Sequence, residues 1–138
     1  MQEHLFFPTP SLTHLLCYPD FIGGYSKHPR HAVDRPAQSH DLQLNRLYNL
    51  HLVQGGKGTV VSGGRSFQLG AGNGLLYGPG VAQKYASHFT EPWDIRWVHF
   101  ACPIADRLLG NRGLGEVWMF SLPDRTGVHG CMERLLSL

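Results

Sequence analysis

Short apolar runs alternate with glycine-rich turns between residues 47 and 100. The pattern predicts strands over Leu47–Gln54, Gly58–Ser62, Arg65–Leu69, Leu75–Tyr77, Gln83–His88 and Trp93–Phe100. Gly63-Gly64 between two of these runs is typical of a two-residue hairpin turn. Because the connections are too short for crossover helices, the strands are expected to pair antiparallel, which predicts a mainly β fold closed as a barrel or sandwich.

The N-terminal third of the sequence is less regular. Pro8 and Pro10 exclude helix, so residues 1–13 are predicted to form an extended arm. A short apolar run at Leu15–Tyr18 precedes Gly23-Gly24, which predicts a turn, and a polar loop should follow as far as His40. The expected organisation is an arm at 1–13, a barrel at 14–103 and a partly helical segment at 104–138.

The C-terminal segment carries a helical pattern. Ile104–Leu109 predicts one or two helical turns ended by Gly110. Further on, apolar residues recur on one helical face, namely Val128, Cys131, Met132, Leu135 and Leu136. The sequence offers this stripe no obvious partner, so we interpret it as the beginning of a truncated element.

Composition fits one folded domain and argues against several functions. Of 138 residues, 42% are hydrophobic and 16% charged, which is enough to bury a core. A net charge of +2 without a basic block does not favour nucleic-acid binding by this chain alone. Three cysteines without close spacing predict reduced thiols in a cytoplasmic protein. No signal peptide or membrane-spanning stretch is evident, so we expect no membrane association.

Four sequence runs together resemble a known family. They are Tyr48–Gly58, Gly63–Leu69, Gly72–Tyr85 and Trp93–Phe100. Their order and spacing resemble the sugar-sensing N-terminal domain of AraC-type transcription regulators. The resemblance implies a cupin-like antiparallel barrel (double-stranded β-helix or jelly roll) followed by a C-terminal helical segment. It also implies a small carbohydrate effector, a homodimer, and DNA binding through a helix-turn-helix domain that this chain lacks.

The same resemblance implies roles for three residues. Trp97 matches a tryptophan whose ring covers the C–H face of a sugar, although a strand tryptophan is more often simply core. Tyr85 matches a sugar-contacting tyrosine, and the alternative is an ordinary barrel tyrosine. Arg35 matches an arginine that binds sugar hydroxyls, and the alternative is a surface arginine paired with Asp34.

Strand alternation adds further candidates. Trp93, Ile95, Trp97 and His99 should share one face of the last strand, and Gln83 should share a face with Tyr85. Ile95 stands where the family has a sugar-contacting histidine, which argues against arabinose itself because Ile95 cannot form a hydrogen bond. By analogy with the family, Pro8 of the arm would cap the pocket.

Many cupins are metalloenzymes, but this sequence lacks their ligand set. The His-x-His cluster is missing, since His51 is followed by Leu52 and Val53, and Gln83 occupies the last ligand position. We therefore expect that the protein is not an enzyme and that it binds neither a metal nor another cofactor. The alternative is a metal-free sugar isomerase or epimerase in which His99 and Tyr85 act as acid and base.

Overall fold

The structure, a computed structural model, describes residues 2–8, 17–37 and 47–138. Within these residues the chain forms ten strands and two helices. The elements in chain order are β1 Gln2–Phe6, β2 Tyr18–Ser26, β3 Ala32–Arg35, β4 Tyr48–Gly55, β5 Lys57–Ser62, β6 Arg65–Gly70, β7 Asn73–Tyr77, β8 Gln83–Ser87, β9 Asp94–Ala101, α1 Ala105–Leu108, β10 Trp118–Ser121 and α2 Arg125–Leu136. Neither of these helices is long and apolar enough to cross a membrane.

The strands form two antiparallel sheets. One sheet has the order β1-β2-β9-β4-β7-β10 and the other β3-β8-β5-β6. Gly63 and Gly64, with φ angles of 58° and 73°, close the tight turn between β5 and β6, because both positions need a left-handed backbone. The predicted mainly β, cupin-like fold is confirmed, and so are the strands expected between residues 47 and 100.

The main core lies between the sheets. The predicted alternation along β9 is confirmed: Ile95 and Trp97 point into this core, whereas Val98 packs on the opposite face. The buried residues of the core are Val53, Val60, Leu69, Leu75, Tyr77, Tyr85, Trp93, Ile95, Trp97 and Val117.

The predicted turn at Gly23-Gly24 is wrong, because both glycines lie inside β2 and are buried. Gly23 lies opposite Trp97 and Gly24 opposite Arg96 on β9. A Cβ atom added to Gly23 would lie 2.7 Å from the Glu3 carbonyl oxygen and 2.8 Å from the Trp97 ring. The glycines therefore allow neighbouring strands and large side chains to approach closely, and they do not reverse the chain.

Two short edge strands were not predicted. β3 lies within the expected polar loop and pairs with β8, and β10 lies within the expected helical segment and pairs with β7. Each has only four residues, too few for a clear alternation. Part of the predicted arm forms β1, which pairs with β2. The predictions for residues 9–16 and 38–46 lie outside the described residues.

Helix α2 packs on the outer face of the six-stranded sheet. Met132 is 4% exposed and joins a cluster with Ile22, Leu52 and Val98. Three further residues of the predicted stripe pack against this cluster, namely Val128, Leu135 and Leu136. The helix is confirmed, but the expectation that its apolar face lacks a partner is wrong, because the chain's own sheet covers it.

Two of the three cysteines are paired. Cys17 and Cys102 form a disulfide, whereas Cys131 is free and exposed. Tyr18 lies opposite Ala101 at the end of the β2–β9 ladder, so the residues just beyond this pair are brought together. The prediction of three reduced thiols is wrong, and the cysteines no longer support the expectation of a reducing compartment.

Substitution of Gly23 by alanine should destabilise the protein because the new methyl group would overlap the β1 backbone and Trp97. We expect Gly23→Ala to lower the free energy of unfolding by about 1–3 kcal/mol, measured by urea denaturation. Gly55→Ala is the matched control, since no atom lies within 4 Å of a Cβ at that strand position. It should change stability by less than about 0.5 kcal/mol. Equal losses in the two variants would contradict the close packing at Gly23.

Candidate functional site

A cavity of about 210 Å³ opens between the two sheets. It is small beside the roughly 300–1,000 Å³ of sites for drug-sized ligands, so it suits a compact molecule. Strands β1, β2, β3, β4, β8 and β9 and the loop before β3 supply its walls. The lining residues are Gln2, His4, Phe21, Tyr25, His31, Ala32, Val33, Arg35, Asn49, His51, Gln83, Tyr85, Trp97 and His99.

Trp97 is the centre of an aromatic wall of the cavity. Its ring is nearly parallel to that of His31, with an interplanar angle of 28° and centroids 5.7 Å apart. Tyr25 lies 5.5 Å from Trp97, and His4 of β1 meets it edge-on at 5.6 Å. Only 6% of Trp97 is exposed, so the flat apolar surface belongs to the interior. Such a surface can cover the apolar face of a small ligand.

The cavity also has a polar wall. His51 Nε2 lies 3.1 Å from the Tyr85 hydroxyl, and the Asn49 side-chain amide donates to Gln83 Oε1 at 3.3 Å. His51 Nδ1 and Asn49 Oδ1 are buried and find no hydrogen-bond partner among the described residues. A buried polar atom without a partner costs free energy, so these two atoms are candidates for hydrogen bonds to a ligand.

His31 is held from behind by Trp93. The fully buried indole of Trp93 donates its N–H to His31 Nδ1 at 3.1 Å. An indole nitrogen can only donate, so Nδ1 of His31 accepts and the proton of the neutral ring sits on Nε2. The ring of His31 is thus fixed in both orientation and tautomer.

Three buried histidines of the cavity, His31, His51 and His99, are neutral at pH 7. Burial, and secondarily the charge of His28, lowers the pKa of His31 to about 4. Burial, then the charge of Arg35, lowers the pKa of His99 to about 4. The pKa of His51 is also well below its usual range, mainly because the ring is buried. These rings therefore offer hydrogen-bond donors and acceptors without adding charge.

Five of the residues predicted for the site lie around the cavity: Trp97, Tyr85, Arg35, Gln83 and His99. Asp34 does not pair with Arg35. Its carboxylate lies 3.4 Å from Lys84 Nζ on the outside of the sheet. The surface ion pair considered as the alternative for Arg35 is therefore not formed.

Three predicted residues do not line the cavity. Trp93 and Ile95 are fully buried in the core near the start of β9, on the same face as Trp97 but deeper. Pro8 is exposed beyond the end of β1. The arm instead reaches the cavity through Gln2 and His4.

The sequence analysis missed several lining residues. Alternation along β4 places Asn49 and His51 on the face of Val53, so the pattern contained a signal for them. His31 precedes β3 in a loop, and no local pattern marks it. The described residues contain no group of three or more His, Cys, Asp or Glu side chains arranged to hold a metal ion.

The two sheets and the cavity between them define a small jelly-roll domain suited to binding a compact molecule. Comparison of the sequence with protein families also identifies a ligand-binding domain and names its family. A family described as the AraC-like ligand binding domain matches residues 18–137. The match covers most of the chain, which therefore belongs to this family.

Individual proteins of known sequence or structure are also similar to this chain. The MmsAB operon regulatory protein of Pseudomonas aeruginosa is 25% identical over 121 residues, covering 88% of this chain and 38% of that protein. YhaK from Escherichia coli superposes with a TM-score of 0.59 at 17% identity, over 89% of this chain and 52% of its own.

The fold also resembles that of ToxT from Vibrio cholerae. Apo ToxT K231A superposes with a TM-score of 0.56 at 11% identity, over 84% of this chain and 46% of its own. ToxT with a bound unsaturated fatty acid superposes at 0.51 and 10% identity, over 79% and 42% of the two chains. This chain thus spans about half the length of these structures or less.

Acidification should destabilise the protein through its buried histidines. Unfolded histidine has a pKa near 6.5, so between pH 6.5 and about 4 the unfolded chain binds protons that folded His31 and His99 do not. The contribution of each histidine to the free energy of unfolding is therefore greatest above pH 6.5. It falls as the pH drops from 6.5 to about 4, by up to about 1.4 kcal/mol per pH unit for each histidine.

Urea denaturation between pH 7.5 and pH 5 measures this dependence. We expect His31→Asn, which keeps an acceptor for Trp93, to lose part of the slope. His88→Asn is the control because His88 is exposed and lies outside the cavity. A His31→Asn slope equal to that of the unchanged protein would contradict the neutral state assigned to His31.

Proposed function

We propose that this chain is the effector-sensing domain of an AraC-type DNA-binding transcription regulator and binds a small, hydroxylated, sugar-like molecule in the cavity. One observation carries the proposal: the ring of Trp97 lies in the cavity wall beside His51, its cross-strand neighbour, and polar atoms of His51 and Asn49 lack partners among the described residues. A sugar has an apolar C–H face and hydroxyl groups at its edges, so it matches both walls.

We propose that the complete protein forms a homodimer in the cytoplasm and binds DNA through a helix-turn-helix domain. The regulatory relative, of which this chain covers 38%, supports a longer protein with a further domain. The fatty acid bound by ToxT supports a barrel of this fold as a container for varied small molecules.

Strand β1 is the element that the ligand should influence. It supplies Gln2 and His4 to the cavity and forms the edge of the six-stranded sheet. Phe6 of this strand is 71% exposed, although its ring stacks on Phe21 at 4.6 Å. A ligand that bonds to β1 would favour its docked state over an open one, since binding shifts the population toward the state with more contacts.

Loss of Trp97 should weaken ligand binding. A panel of mono- and disaccharides is first tested for a rise in melting temperature, because a ligand of the folded state stabilises it by mass action. We expect Trp97→Ala to lower the affinity for the hit at least about tenfold, or about 1.4 kcal/mol, by isothermal titration calorimetry. Trp118→Ala is the control, since Trp118 lies on β10 outside the cavity and should leave the affinity unchanged.

Two outcomes would count against this proposal. An unchanged affinity in Trp97→Ala would remove Trp97 from the site. Turnover of a sugar, or exchange of its protons in deuterated water, would favour the metal-free epimerase instead. That alternative assigns the acid and base roles to His99 and Tyr85, which both line the cavity.

Ligand binding should protect β1 from proteolysis. Chymotrypsin cleaves after aromatic residues, and Phe6 and Phe7 lie at the end of β1. We expect cleavage there to slow at saturating ligand because an undocked strand is the better substrate. Phe89, 74% exposed in the β8–β9 loop, provides an internal control whose cleavage should not change. Equal slowing at both sites, or none at either, would contradict a role for β1.

A further inference from the structure

The described residues that line the cavity include a cationic side chain and no acidic one. Among the described residues that line it, Arg35 is the one with a permanent charge, and no aspartate or glutamate is present. The buried histidines do not alter this balance, since burial keeps His31, His51 and His99 neutral at pH 7. The cavity therefore has a permanent positive charge at Arg35 and no internal negative charge.

Strand geometry separates Arg35 from its nearest acidic neighbour. Side chains alternate along β3, so Asp34 points to the outer face of the sheet, where Lys84 Nζ lies 3.4 Å from its carboxylate. Arg35 lies opposite Gln83 in the β3–β8 ladder and is half-buried at the cavity. No ion pair to Arg35 is formed by the residues that the structure describes.

The charge of Arg35 acts on the polar wall. It contributes to the lowered pKa of both His51 and His99, so the guanidinium lies close enough to influence both rings. His51 is 1% exposed and Asn49 4% exposed, and each presents a buried polar atom without a partner in the described part of the chain. A ligand group placed here meets a cation and unsatisfied polar atoms together, in surroundings where charge interactions are stronger than in water.

A neutral hydroxyl would satisfy only part of this arrangement. It can accept a hydrogen bond from the guanidinium but leaves the positive charge uncompensated in a mostly buried site. A carboxylate compensates the charge and matches the two parallel N–H donors of arginine. A single arginine with neutral neighbours suits one negative charge better than the two of a phosphate monoester.

We propose that the effector carries a carboxylate bound by Arg35, with its remaining atoms packed against Trp97. The ligand class is thus a sugar acid or a small hydroxy acid in preference to a neutral sugar. This inference rests on the proposed effector-binding function and specifies its ligand.

The test compares acids with neutral molecules of matched shape. Calorimetry with the folded protein would use galacturonate and galactose, glucuronate and glucose, and glycerate and glycerol, together with a hexose phosphate. We expect at least one acid to bind at least about tenfold more tightly than its neutral partner. In Arg35→Gln the acid should lose this advantage, while binding of the neutral partner should change little. Arg107→Gln, at an exposed position of α1, should retain the preference.

The outcomes separate this inference from the proposed function. Equal binding of acid and neutral partner would overturn the proposed carboxylate ligand but leave the effector-binding function intact. Tighter binding of the hexose phosphate would show that Arg35 binds a phosphate group in place of a carboxylate. An acid preference that survives in Arg35→Gln would exclude Arg35 as its cause. No binding by any compound would overturn both proposals. Near-ultraviolet circular dichroism checks that Arg35→Gln retains its aromatic packing.

Discussion

The indole of Trp93 is the contact on which the cavity depends. Its ring lies against Gly58 of β5 so closely that no side chain fits at that position. Its N–H donates to His31, which precedes β3. Trp93, just before β9, thus contacts β5 of the other sheet and also holds the loop that connects β2 with β3. The contact orients the ring of His31 in the wall that it forms with Trp97.

Burial explains how the cavity combines polarity with a low charge. Desolvation, and secondarily the charge of His28, lowers the pKa of His31, so its ring stays neutral at pH 7. His51 and His99 are neutral for the same reason of burial. The interior consequently offers many hydrogen-bonding atoms around one arginine, which is an environment for a polar ligand with a defined charge and orientation.

The sequence predicted those parts of the fold that follow from local periodicity. The alternation along β9 fixed which side chains face inward, and the Gly63-Gly64 turn fixed the pairing of β5 with β6. The resemblance to AraC-type regulators added Arg35, which no local pattern would have indicated.

The errors arose where long-range contacts decide the outcome. Gly23 and Gly24 resembled a turn, but their small size serves the strands on either side. The pairing of Cys17 with Cys102 depends on the β2–β9 register, which the sequence did not predict. The partner of α2 was missed for a similar reason, because the outer face of the sheet becomes apolar only when strands distant in sequence are joined.

Strand β9 connects the cavity with the outer surface. Trp97 faces the cavity, while the preceding residue, Arg96, faces outward and donates from Nε to Glu133 of α2 at 3.0 Å. Arg96 is only 9% exposed and also donates to Asp94 at 2.6 Å, so its position is constrained from two sides. Because adjacent residues of a strand share one backbone, a displacement of β9 at Trp97 necessarily changes the geometry at Arg96. The residue that faces the cavity and the residue that contacts α2 are therefore neighbours in sequence, and a buried glycine of β2 lies opposite each of them.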